Sequence, residues 1–136
     1  VQYEPSQRRA GKGLARLASS FHCAFAGCAE AWRTQPNVRI HLGFVVGVTA
    51  LASYLRLPAA HWAILVLTFV VVLVAELCNS ALEALTDLAS PGYHPMARQA
   101  KDIAAGAVLA AAVGAVVVGM LVLAPPLWAR IAELAR

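Results

Sequence analysis

The sequence predicts an all-α integral membrane protein, with an N-terminal amphipathic helix on the membrane surface followed by three transmembrane helices. Three observations carry that expectation. Of 136 residues, 60% are hydrophobic and only 13% charged, at a mean hydropathy of +0.68, which is the balance of a membrane protein rather than of a soluble domain. The apolar residues gather into runs of about 20, the length that crosses about 30 Å of hydrocarbon. Between the runs lie short segments rich in proline, glycine and charge, which stop helices.

Residues 1–12 hold Pro5, Arg8, Arg9, Gly11 and Lys12 and are expected to be a flexible cytoplasmic tail. Over residues 13–35 the apolar side chains Leu14, Leu17, Phe21, Phe25, Cys28 and Trp32 recur every three or four positions, with Arg16, Ser20 and Glu30 away from the stripe. That period, basic at its start and aromatic along one side, predicts a helix in the headgroup region. Pro36 should end it and Asn37 should cap the next helix.

The first span is expected over residues 38–57, with Arg39 and His41 in its first turn and Arg56 at its end, where long basic side chains can snorkel to the surface. Gly43 and Gly47 form a GxxxG, a spacing that permits close helix approach. Residues 58–61 should make a tight turn, and the second span should cover 62–88. Its apolar run ends abruptly in Glu76, Asn79, Glu83 and Asp87. Those positions are spaced 3, 4 and 4 apart, so at about 100° per residue they share one helix face. A charge inside a membrane helix costs at least about 2.5 kcal/mol, so an aligned set faces a site or a polar bundle interior. The acids also sit at the negative end of the helix dipole, which implies a cation nearby.

Ser90-Pro91-Gly92-Tyr93-His94-Pro95 should break the chain. A third span is then expected at about 102–123, with Gly106, Ala110 and Gly114 offering a surface of small residues. Pro125-Pro126 should end it, leaving a short C-terminal tail at 129–136.

Charge sets the expected topology. Arg8, Arg9, Lys12, Arg16, Arg33 and Arg39 precede or open the first span and Arg98 and Lys101 lie between the second and third, against Arg56, Arg130 and Arg136 elsewhere, or eight against three. This asymmetry predicts a cytoplasmic N-terminus, with the acidic stripe and the second loop on the same side. The first long apolar run begins only near Val38, which predicts no cleavable leader. The basic residues form no long run interleaved with aromatics, which argues against nucleic-acid binding. Cys23, Cys28 and Cys78 have neither CxxC nor zinc spacing and are expected to be free thiols. His22, His41, His61 and His94 are scattered, as befits interfacial or capping residues, and no P-loop or GxGxxG is present.

Aligned carboxylates, with Lys101 and Asp102 returning across a short loop, could hold a divalent ion and a polyphosphate, since magnesium accepts a sparse protein set completed by phosphate oxygens. A glutamate as deep as Glu76 could take a proton from an alcohol. Spacing alone leaves open that Glu76 and Asn79 only join helices in an oligomer.

The pattern Glu76-x-x-Asn79-Ser80-Ala81-x-Glu83-x-x-x-Asp87, then Tyr93-His94-Pro95, then Ala100-Lys101-Asp102-x-Ala104-Ala105-Gly106-Ala107-Val108-Leu109 resembles the prokaryotic diacylglycerol kinase family. Asn37-x-Arg39-Ile40-His41 resembles the branch that includes the undecaprenol kinases. The resemblance runs roughly from Arg16 to Met120. It implies a homotrimer with active sites shared between neighbours, in the bacterial cytoplasmic (inner) membrane, transferring the γ-phosphoryl group of ATP to a lipid hydroxyl with Mg2+. Carried over by matched position, Glu76 would be the general base and Glu83 the metal and nucleotide ligand. Arg16, Asp87, Tyr93, His94, Lys101 and Asp102 would serve the nucleotide, and Asn79, Asn37, Arg39 and His41 would orient substrate. Where many members have a second metal-binding glutamate, this chain has Gln35, and a neutral amide is a weaker magnesium ligand. Glu30 is a poor substitute, because five residues of helix turn it about 140° away. The expectation is fewer protein ligands and more waters. Two rival readings remain at the level of sequence: a small proton- or ion-coupled carrier using Glu76, and a structural membrane oligomer.

Overall fold

The computed structural model describes residues 13–135. The tail expected over residues 1–12 lies outside them. Every described element is helical: α1 is Gly13–Thr34, α2 Pro36–Tyr54, α3 Ala59–Ala89 and α4 Pro95–Leu134. The chain divides into two units, α1 by itself and the segment from Gln35 onward.

In α1, the apolar stripe of Leu14, Leu17, Phe21, Phe25 and Trp32 is realised on one helix. The hydroxyls of Ser20 and Thr34 donate to the carbonyls of Arg16 and Glu30, at 3.0 and 2.9 Å, so they are satisfied within their own helix.

In the second unit, α3 packs chiefly along α4 and less extensively along α2. Ala52, Leu57, Leu65 and Val122 form its small core, flanked by Val48, Trp62, Phe69 and Val118. This core lies near the α2–α3 turn. Elsewhere large side chains face outward, including Phe44, Leu67, Leu109 and Leu121, each more than 60% exposed. So much apolar surface marks a chain whose helices are covered by lipid or by other helices. The hydroxyls of Thr68, Ser80 and Thr86 follow suit, each donating to the carbonyl four residues back, as a medium without water requires.

Helices α3 and α4, of 31 and 40 residues, are long and apolar enough to cross a membrane. At about 1.5 Å per residue they reach about 46 and 60 Å, well past about 30 Å of hydrocarbon, so their ends project from it. The third expected span, α2, does not meet the same measure among the described residues, because Asn37, Arg39 and His41 occupy its first turns.

Four boundaries differ from expectation. Gln35, not Asn37, is the N-cap of α2, because Pro36 sits at N1, where its fixed φ and missing N–H cost nothing. The α2–α3 turn lies at Leu55–Pro58 rather than 58–61, since Ala59 and Ala60 are good helix formers and join α3. Pro95 likewise opens α4 instead of closing the loop, so residues 95–101 are helical. Pro125 and Pro126 do not end α4, which continues through them to Leu134 in place of the expected 129–136 tail. Adjacent prolines remove only the two N–H groups that would bond to Leu121 and Val122, and the fixed φ of each ring is itself helical.

Candidate active site

Helix α3 sets its polar side chains in a line of graded depth. Glu76 is 1% exposed and Asn79 7%, Glu83 is half-buried, and Asp87 is open to solvent. The Asn79 Nδ2 donates to Glu83 Oε1 at 2.9 Å, one helical turn apart, so the amide orients the carboxylate. Glu76 Oε2 and Asn79 Oδ1 are buried without a hydrogen-bond partner among the described residues. An unpartnered buried acceptor costs about 1–3 kcal/mol, which makes this pair a place for a hydroxyl proton or a cation.

The short hairpin of Ser90–His94 folds α4 back along α3. His94 is the N-cap of α4, its Nδ1 accepting from the Met96 N–H at 3.2 Å. Lys101 then reaches back to pair with Asp87. This is the cation the acidic helix end requires. Arg98 and Asp102 form a second pair at 3.7 Å with both side chains 70% exposed, an arrangement worth at most about 1 kcal/mol. The residue numbers of Asp87 and Lys101 sum to 188, and those of Leu65 and Val122 in the core to 187. That antiparallel register sets Glu76 level with Ala111 and Ala112, and Glu83 level with Ala104 and Ala105.

Beneath the acids, α2, α3 and α4 enclose an apolar cleft of about 220 Å³, lined by Phe44, Val45, Phe69, Val72, Ala112 and Val116 among others, with His41 and Thr68 its polar residues. Val72 and Leu73, the cleft's last residues on α3, lie four and three positions before Glu76. Val45 with Val72, and Val48 with Phe69, sum to 117. Extended along the two helices, this register puts His41 level with Glu76 and the N-cap Gln35 level with Leu82, the residue before Glu83. Gln35 makes no side-chain capping bond, so its amide is not committed to α2.

The structure thus pairs Asn79 with Glu83 and Asp87 with Lys101 along the α3 face that also carries Glu76, and sets His41 in the lining of the apolar cleft. Asn37 and Arg39 are exposed near the start of α2, and Tyr93 is 80% exposed in the hairpin. Arg16 belongs to α1, the separate unit. Thr68 in the cleft and the Arg98–Asp102 pair were not anticipated from sequence. The length of the hairpin was the signal that fixes the α3–α4 register. Among the described residues no three His, Cys, Asp or Glu side chains converge on a metal position. Glu83, its Oε1 oriented by the Asn79 amide, is nevertheless a hard oxygen donor of the kind magnesium takes, since the ion keeps several waters and accepts further oxygens from phosphate.

Two helices apolar enough to span a membrane, an apolar cleft, and a buried carboxylate one turn beyond it are the features of a chain that acts on a lipid. Residues 22–123 match the family model described as prokaryotic diacylglycerol kinase, and the chain belongs to that family. It is 46% identical to a diacylglycerol kinase of Synechocystis over 91% of this chain and 71% of that protein. It is 35% identical to an undecaprenol kinase of Bacillus subtilis, over 84% and 93% of the two chains, and 29% identical to a diacylglycerol kinase of Escherichia coli K12, over 77% and 86%. The chain is accordingly a lipid kinase, with ATP as co-substrate.

Proposed function

We propose that the chain phosphorylates the hydroxyl of diacylglycerol at the cytoplasmic surface of a bacterial inner membrane. The observation that carries this reading is the buried Glu76 carboxylate, its Oε2 unpartnered, one helical turn beyond the Val72 that lines an apolar cleft. The cleft takes the lipid's apolar part and Glu76 takes the hydroxyl proton. The lipid oxygen attacks the γ-phosphorus, the bond to the bridging oxygen breaks, and ADP leaves. Asn79 fixes the Glu83 carboxylate, while Glu83, with the Gln35 amide as a weaker ligand on sequence resemblance, would hold magnesium, which neutralises charge on the phosphates. Lys101 exchanges its Asp87 partner for phosphate oxygens, and Asp87 and Asp102 steady that end of the site. Tyr93 and His94 border it from the hairpin, Arg39 and His41 orient the acceptor at the start of α2 with Asn37, and Arg16 is assigned to the nucleotide on sequence resemblance alone.

The bare apolar faces of α2, α3 and α4 support three membrane crossings and a homotrimer with active sites shared between neighbours. Undecaprenol is the second reading for the acceptor, favoured by Asn37-x-Arg39-Ile40-His41 and by the Bacillus subtilis relative, 93% of which is covered. The purified chain in micelles, given ATP, Mg2+ and each lipid alcohol separately, tests both readings through the phosphorylated lipid formed. Phosphatidate should form at the higher rate. Polyprenyl phosphate alone would reassign the acceptor, and failure with every lipid would sink the proposal.

A further inference from the structure

At the end of α3 remote from Glu76, a second cleft of about 480 Å³ opens between the α2–α3 turn and the last turns of α4, lined by Tyr54, Arg56, Pro126, Ala129, Arg130 and Glu133. Its size falls in the range of small-molecule sites, and unlike the apolar cleft it is lined by charge. Glu133 holds Arg130, Nη1 to Oε2, at 2.8 Å, whereas Arg56 forms no ion pair among the described residues. Two guanidinium groups and one carboxylate leave this cleft a net charge of +1.

Two backbone features build it. Arg56 has φ 53°, the one described non-glycine residue with positive φ. That left-handed conformation costs an ordinary L-residue about 1–2 kcal/mol, which glycine would avoid and asparagine would reduce, so the turn gives up stability by carrying an arginine. The second feature is the passage of α4 through Pro125 and Pro126. Had the helix stopped there, Ala129, Arg130 and Glu133 would not supply the second wall. Trp128, 76% exposed on the same turns, is the aromatic type that settles at headgroup level.

We propose that this cleft binds the phosphodiester headgroup of an anionic phospholipid in the leaflet opposite the catalytic end. A single phosphodiester charge matches the net charge of the cleft, and a guanidinium meets phosphate oxygens through two parallel N–H donors. Arg56 supplies the uncommitted fork, Arg130 is held in place by Glu133, and the Tyr54 hydroxyl is a further donor at the rim.

The full chain in phosphatidylcholine nanodiscs, with phosphatidylglycerol added in increments, tests the site by native mass spectrometry of retained lipid and by thermal unfolding. The Arg56→Asn, Arg130→Gln double variant is expected to lose about tenfold in apparent phosphatidylglycerol affinity, with lipid kinase turnover in pure phosphatidylcholine unchanged. Asparagine tolerates the left-handed turn, so Arg56→Asn alone should melt no lower than the parent in phosphatidylcholine while already binding less phosphatidylglycerol. Arg33→Gln, on α1, should retain the cleft-dependent binding. Undiminished phosphatidylglycerol retention by the double variant would overturn the site. Inorganic phosphate should give no stabilisation, and a shift equal to that from phosphatidylglycerol would overturn the lipid as its source.

Discussion

In the proposed reaction Glu76 is the residue on which the chemistry turns, because it combines near-complete burial with a free acceptor oxygen. Glutamine keeps its size and removes its basicity. Glu76→Gln is therefore expected to lower turnover at least about 100-fold, the lower end of general-base contributions, while nucleotide binding measured by equilibrium dialysis stays close to the parent's. Near-normal turnover would mean that another group accepts the proton. Gln35 gives a second residue-level expectation. It is free of any capping bond and stands where the family resemblance puts a second metal-binding glutamate, so exchange of its amide for a carboxylate should supply a ligand. Gln35→Glu should lower the magnesium concentration needed for half-maximal activity, and an unchanged requirement would count against Gln35 lying at the metal. The face shared by Glu76, Asn79, Glu83 and Asp87 was legible in the sequence, since helical spacing alone aligns them. That Glu76 lies deepest was legible too, from its place nearest the apolar run, whereas the pairing of Asp87 with Lys101 was not, because it depends on what α4 places opposite.

At the scale of elements, the sequence carried helix count and type, and the structure moved the ends. Proline explains most of the movement. Read as breakers, Pro36 and the 90–95 segment do mark where α1 and α3 stop, but Pro36 and Pro95 also open the next helix as N1 residues, and Pro125 and Pro126, expected as a stop, are accommodated inside α4. A proline marks a helix end only when its neighbours cannot use its fixed φ. Side-chain depth on α3 makes a sharper claim. Leu65 is 1% exposed in the core while Leu67 is 65% exposed, although the two are nearly adjacent in a uniformly apolar run where hydropathy cannot tell them apart. Leu65→Ala should lower stability by about 2–4 kcal/mol. Leu67→Ala should lie within about 0.5 kcal/mol of the parent, both measured by unfolding in mixed micelles. Equal losses would mean that Leu67 is covered by a neighbouring helix rather than by lipid.

For the whole molecule, function requires the acidic end of α3 to face the compartment that supplies ATP. The Ser90–His94 hairpin and the Leu55–Pro58 turn lie at opposite ends of α3, a helix long enough to cross the bilayer. They must therefore emerge on opposite sides if α3 spans. Arg98 and Lys101 follow the hairpin, whereas Arg56 stands alone in the turn, so the positive-inside rule assigns the hairpin to the cytoplasm. This orientation can be read with single cysteines placed at Gly92 and at Ala60, after Cys23, Cys28 and Cys78 are replaced by serine. A membrane-impermeant maleimide should label the Gly92→Cys chain only in inverted vesicles and the Ala60→Cys chain only in intact spheroplasts. The reverse pattern would put the carboxylate row outside, away from nucleotide, and would remove the basis for Glu76 as the base. Labelling of both positions from one side would instead mean that α3 lies along the membrane, leaving the cleft below Glu76 without a path from the bilayer.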